Sequence, residues 1–342
     1  MSLRWLAVRN LAIAALALAA QGFAATRPRY GGTLRVEMRQ AIESPDPPDV
    51  GPGMPDLIGA FSVSRWEGGR RAVYTANETA AGGRPFLDAV DIQMGRPVRE
   101  QAIDLESGKT DLMEVGPAEA RRQSAGRRIW LSSPVRVVAL VFGSRVDDAR
   151  IREALSLAVD RAAILNVLLP RQGEISGALL PQWLSGYAFL FPAAADIARA
   201  RGLVGSTPIA ARAFSLGVDD PALRTVADRI AVNARDAGLA VSVVPEGYAS
   251  DARLVEARIV SSNAARALAG VAAALGLPTP ARADSPEALY NAERALLDGF
   301  RVAPLFHLPD VYGVGPRVKG GPGISPMGEW RFENLWLEGG RP

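Results

Sequence analysis

The sequence predicts an α/β fold with a partly parallel sheet, and three observations predict it. Between Val135 and Leu308, apolar runs of strand length alternate with segments of helical period. The chain is 48% hydrophobic and 22% charged, which supplies a core and excludes a disordered protein. Its 342 residues show no repeat of fixed period and suit two domains or lobes.

The N-terminus reads as an address. Arg4 and Arg9 precede an apolar stretch from Leu11 to Ala20, and Gly22, Ala24 and Ala25 follow. That is the three-part pattern of a secretory signal peptide. Cleavage after Ala24 places Gly22 and Ala24 at the two small positions, so residues 1–24 are the expected leader. The apolar stretch is shorter than the roughly 20 residues needed to span a bilayer. No cysteine follows for lipid attachment. The mature chain is expected to be soluble and periplasmic.

The elements follow in order. Thr33 to Met38 alternates and predicts a strand after the Gly31-Gly32 turn. Ser44 to Pro55 is rich in proline and predicts a loop. Phe61 to Trp66 and Arg71 to Asn77 flank Glu67-Gly68-Gly69-Arg70 and predict a hairpin. Phe86 to Met94 predicts a strand, Val98 to Glu106 a helix ended by Gly108, and Leu112 to Val115 a short strand. Val135 to Phe142 is apolar apart from Arg136 and predicts a buried strand. Asp147 or Asp148 then caps an amphipathic helix, with Ile151, Leu155, Val159, Ala162, Leu165 and Leu169 on one face and Pro170 as the stop. A second helix starts at Asp219-Asp220-Pro221 and closes at Gly238, before a strand at Leu239 to Val244. A strand near Leu254 to Val260 leads to an Ala-rich helix from Asn263 to Leu275. A last helix runs from Ser285-Pro286 to Gly299, and Val302 to Leu308 and Val311 to Val314 are predicted strands.

Charge and chemistry exclude several functions. Lys plus Arg total 39 and Asp plus Glu 36, so the net charge of +3 falls to 37 − 36 = +1 once Arg4 and Arg9 are removed. Arg70-Arg71, Arg121-Arg122 and Arg127-Arg128 are scattered pairs, unlike the concentrated basic face of a nucleic-acid binder. With no cysteine and one histidine, thiolate zinc sites, iron–sulfur clusters and cysteine nucleophiles are ruled out. Ser107-Gly108-Lys109-Thr110 resembles the end of a phosphate loop, but Ile103 stands where that motif needs glycine. No G-x-S-x-G elbow occurs, and Gly51-Pro52-Gly53 lacks the third glycine of a dinucleotide fold. His307 sits in an apolar strand without an identifiable partner. Helix capping accounts for Asp147-Asp148 and Asp219-Asp220 without a metal. No enzyme activity, cofactor or metal is expected, and binding is the remaining class.

Several blocks then carry a family resemblance. Tyr30-Gly31-Gly32-Thr33-Leu34-Arg35-Val36 resembles the first mature strand of the extracellular solute-binding proteins of family 5, the peptide and nickel receptors of ABC importers. Ser44-Pro45-Asp46-Pro47 is similar to the family's leucine-Asp-Pro turn. Gly82-Gly83-Arg84-Pro85-Phe86-Leu87-Asp88 resembles its Gly-Gly-Arg-Pro-Tyr-Leu-Asp block, and Leu105 to Leu112 its Ser-Gly-x-x-Asp block. Asp148 to Arg161 is the most specific match, similar to Arg-x-Arg-x-Ala-Leu-x-x-Ala-Ile-Asp-Arg, and Leu296 to Gly320 resembles the family's end. The sequence departs from the family in two places. Only residues 46–57 stand where relatives carry an extra middle domain, and residues 260–266 lack the Trp, Tyr and Asp of the relatives' Trp-x-x-Asp-Tyr block.

The resemblance implies a two-lobed, type II-like periplasmic-binding-protein clamshell with mixed sheets, reduced in size. Lobe one would be 30–140 plus 310–342 and lobe two 141–309, with hinges near Phe142-Gly143-Ser144 and Leu308-Pro309-Asp310. A monomer would bind a small, peptide-like solute between the lobes and deliver it to a membrane permease. Candidate ligand contacts are Asp46, Met54, Trp183, Tyr187, His307 and Tyr312. The alternative is an exported, degenerate binding-like protein acting through protein interaction. An open polar cleft favours the first reading and a filled cleft the second.

Overall fold

Thirteen strands and eight α-helices are present among the described residues of the computed structural model, which are 27–39, 59–116, 128–169, 173–187, 191–245 and 247–339. The leader 1–24, the proline-rich loop, Asp46 and Met54 lie outside them. β1 (Thr33–Glu37) is followed by the hairpin β2 (Phe61–Glu67) and β3 (Arg71–Ala76), then β4 (Ala89–Gln93), α1 (Val98–Glu106) and β5 (Leu112–Glu114). The long β6 (Arg128–Phe142) leads into α2 (Ala149–Ala158), α3 (Arg161–Val167), β7 (Glu174–Ile175), α4 (Gln182–Ser185) and α5 (Ile197–Gly205). β8 (Ala213–Val218), α6 (Arg224–Asp236), β9 (Ala240–Val244), β10 (Ala252–Arg258), α7 (Ala264–Ala274) and α8 (Pro286–Leu297) follow. β11 (Val302–Val314), β12 (Val318–Lys319) and β13 (Trp336–Leu337) complete the chain.

Eleven strands form one mixed sheet, ordered β2-β3-β4-β1-β5-β11-β6-β10-β8-β9, with β7 also on β11. β1 pairs in parallel with β4 and β5, and β8 in parallel with β9 and β10. β6 and β11 are the antiparallel pair shared by both halves. One half is built on β1–β5, with a core around Tyr74, Phe61, Trp330 and Phe332. The other carries helices on both faces of β8–β11: one core packs α2 and α6 against it and another packs α7 and α8.

Two expectations need correction. The predicted single helix from Asp148 to Pro170 is two helices. Val159 takes an extended conformation (φ −69°, ψ 112°), and the Asp160 carboxylate accepts from Ala163 N at 2.9 Å, capping a new start. The two strands predicted at 302–308 and 311–314 are one strand, buried at every residue. It passes its prolines through register shifts at Pro304/Phe306 and on both sides of Pro309. β6 pairs with β11 from Arg128 to Val141 and with β10 from Arg136 to Phe142.

Candidate functional site

The parallel strands of both halves aim their carboxyl ends at the same place. In the first half, Glu114 at the end of β5 pairs opposite Tyr312 of β11, and Glu37 at the end of β1 lies beside Met113. In the second half, β10 ends at Arg258 opposite Arg136, and β8 ends at Val218 beside Leu254, heading the same way. Ligands of parallel α/β sheets sit beyond the carboxyl ends of the strands. The junction near Pro134 and Pro309 is therefore the candidate site.

Charged side chains occupy it. Arg39, just after β1, donates its backbone N–H to Glu114 Oε2 at 2.7 Å and reaches Asp220 Oδ2 with Nη1 at 3.7 Å. Asp220 follows β8 and belongs to the other half, so this pair spans the junction. Arg136 donates Nη1 to both Glu256 oxygens at 3.1 Å, donates Nη2 to Pro309 O at 2.7 Å, and holds Nε 3.4 Å from Asp310 Oδ1. Arg258 forks onto Asp310, with Nη1 2.9 Å from Oδ1 and Nη2 on Oδ2. Ser132 Oγ donates nothing to the acid itself; it accepts Asp310 N–H at 2.8 Å. Gly328 closes over the pair: a Cβ there would lie 2.3 Å from Asp310 Oδ2.

The local fields follow from this packing. Burial pushes the Glu114 carboxyl up against the opposing pull of Arg39. Burial works against the charge of Arg136, but Glu256 and Asp310 outweigh it and hold its pKa above the ordinary value. Burial, reinforced by Asp310 and Glu114, lifts the Tyr312 phenol well above its usual range. Among the described residues, the pocket between Arg39, Glu114, Arg136, Asp310 and Tyr312 holds about 20 Å³, room for a single water.

The residues singled out from sequence scatter. Tyr312 lines the junction, 3% exposed, with its ring edge-on to Trp330 at 6.0 Å. Trp183 stands at its border, 41% exposed, its indole N–H donating to Pro134 O at 2.9 Å. His307 is buried away from it, with Nδ1 3.2 Å from Glu174 Oε1 and Nε2 3.3 Å from Leu179 O. Tyr187 donates its hydroxyl to the buried Glu293 and packs edge-on against Tyr290 at 5.7 Å. Trp183 and Tyr312 thus share one region, and Tyr187 and His307 another. Arg39, Glu114, Arg136, Asp220, Glu256, Arg258 and Asp310 were missed. Arg136 inside an apolar run was the available signal, because a charge in a buried strand demands a partner.

Comparison with known proteins places this geometry. The sequence pattern of the bacterial extracellular solute-binding proteins, family 5 Middle, matches residues 16–276. The oligopeptide-binding protein AppA of Bacillus subtilis (strain 168) is 22% identical over 123 residues, covering 34% of this chain and 23% of the relative. The dipeptide-binding protein of Pseudoalteromonas sp. SM9913 in complex with Met-Leu superposes with a TM-score of 0.66 at 12% identity, covering 82% of this chain and 64% of that one. NikA of Staphylococcus aureus in complex with Ni(L-His)2 gives 0.65 at 14% identity, covering 82% and 68%. The chain therefore spans about a quarter of the curated relative and about two thirds of the solved structures.

Proposed function

The chain belongs to the bacterial extracellular solute-binding proteins of family 5, and on that premise we propose that it is the substrate-binding component of an ABC importer. It binds a small, peptide-like solute between two lobes and presents it to a membrane permease. Residues 1–24 direct its export and are cleaved in the process. Lobe one is residues 30 to about 131 plus the segment after Asp310, and lobe two lies between. No catalytic step is assigned to it.

The observation that carries this reading is the convergence of strand carboxyl ends from both halves on one charged junction, bridged by Arg39 and Asp220. Opening is inexpensive. The Arg39–Asp220 pair is 26% and 32% exposed, and such pairs contribute up to about 1 kcal/mol. β6 and β11 stay paired from Arg128 to Val141, but register shifts interrupt the ladder on both sides of Pro309, where it can bend. A zwitterion supplies both missing charges as the lobes part: its carboxylate takes Arg39, and its ammonium takes Asp220 or Glu114. This differs from the aspartate of the relatives' Trp-x-x-Asp-Tyr block, which residues 260–266 lack.

The small size of the described pocket at the junction, about 20 Å³, favours the second reading, an exported binding-like protein acting by protein contact. Thermal unfolding separates the two. A ligand present at 100 times its Kd stabilises the native state by about 2.7 kcal/mol. Import predicts a rise of several degrees with one class among di- and tripeptides, nickel chelates, haem and oligosaccharides. A cooperative transition that no member of the panel moves contradicts it.

A further inference from the structure

A second cavity lies far from the junction. It holds about 360 Å³, in the size range of small-molecule sites, and opens between α8, the start of β11 and the α2–α3 break. Val302 to Pro304 line it, and Pro309 at the junction is five residues beyond Pro304, roughly 17 Å along an extended strand.

Its charge is unbalanced. Arg161 is 3% exposed and has no carboxylate partner among the described residues. Among the described residues its guanidinium donates to Ser156 O at 2.9 Å, Ser156 Oγ at 3.1 Å, Pro304 O at 3.1 and 3.3 Å, and Ala193 O at 3.3 Å. Burial pulls its pKa down to about 10, so the cation persists at neutral pH without a counter-charge. Arg294 stands exposed on the cavity wall and makes no ion pair among the described residues. Asp298 is the one acid lining the cavity, against these two arginines.

Aromatic side chains form part of the wall. Phe191 and Tyr290 stack at 5.4 Å with 29° between planes, and Phe300 completes the lining. Phe300 is the one non-glycine residue with positive φ, +55°, among the described residues. Strain of that kind costs on the order of 1–3 kcal/mol and gathers at sites that hold ligands.

We propose that this cavity is a binding site for a small aromatic carboxylate. The anion's charge faces Arg161 and Arg294, and its ring lies against the Phe191–Tyr290 pair. The anion supplies the counter-charge that the fold withholds from Arg161. It takes over the two longest carbonyl contacts, both 3.3 Å, while Arg294 contributes unused donors. The site stands independently of the junction and of the importer reading.

Calorimetric titration of the purified chain with benzoate, and with neutral benzamide as the isosteric control, tests it. Saturable benzoate binding is expected, with benzamide weaker by roughly tenfold or more. Arg294→Glu leaves the core untouched and should weaken benzoate by a similar factor. A charge-conserving Arg294→Lys should retain most of the affinity. Absence of saturable benzoate binding overturns the proposal. So does benzamide binding as tightly as benzoate, or benzoate affinity unchanged in Arg294→Glu, which would place the ligand elsewhere.

Discussion

The junction and the α8–β11 cavity treat buried arginine in opposite ways. At the junction, Arg136 and Arg258 share Asp310, Arg136 also holds Glu256, and Arg39 divides itself between Glu114 and Asp220. At the cavity, Arg161 has only carbonyl and hydroxyl oxygens. The nearby Arg152, also buried, donates to Gly299 O, Val146 O and Asp147 O. Paired charges make a region self-sufficient: a ligand there must displace a partner that is already bound. Unpaired charge leaves a standing demand for an anion. The first arrangement suits an exchangeable contact between moving halves, and the second a fixed pocket inside one of them.

The comparison breaks most readily at Asp310. Its carboxylate serves two arginines from a buried position, so Asp310→Ala should cost about 3–5 kcal/mol in urea unfolding, by removing the carboxylate from Arg258 and leaving Arg136 to Glu256 alone. A loss below about 1 kcal/mol would show the junction to be wet and its pairs weak.

A smaller effect concerns Glu293, the acid within the second half. Burial raises its pKa from 4.5 to about 7, although Leu179 N and Leu180 N donate to it. The native state then binds a proton that the unfolded state has already released. The contribution is fully present below about pH 4.5 and is lost as pH rises through about 7, near 3 kcal/mol in total. Urea unfolding from pH 5 to 8 should show that slope in the native chain and lose it in Glu293→Gln. A slope that survives the substitution assigns the titration to another group.

The smallest effect sharpens the contrast. Arg39→Ala removes the bridge between halves and should change stability by less than about 1 kcal/mol, because the pair is part-exposed. A cost several times larger would mean that Arg39 is a fixed strut of the closed form.

Much of the fold was legible because the sequence reports local physics well. Asp148, Asp220, Asn263 and Ser285 cap helices as their types predict, each accepting a backbone N–H. The strands β1, β3 and β9 follow their apolar runs. The break at Val159–Asp160 was hidden, because the apolar face runs on through both helices while Asp160 is read as one more polar position. The unity of β11 was hidden by Pro304 and Pro309, which only a bulged partner strand accommodates. The first half of β6, Arg128 to Pro134, lacks an apolar run because it covers the sheet only where the C-terminal segment packs, as at Ser133 N–Pro326 O. The site was mostly illegible. Arg39, Asp220 and Asp310 stand 90 to 271 positions apart in the chain and meet only through strand order.

The most direct test uses the absence of native cysteine. Spin labels attached through Thr79→Cys and Arg229→Cys, both exposed and one in each half, report the distance between halves by pulsed electron resonance. A moving pair of lobes predicts a distribution that lengthens and broadens with Arg39→Ala and narrows when Met-Leu or another binding peptide is added to the native chain. A single narrow distance, identical in the native chain, in Arg39→Ala and at saturating peptide, would contradict a clamshell that opens at this junction.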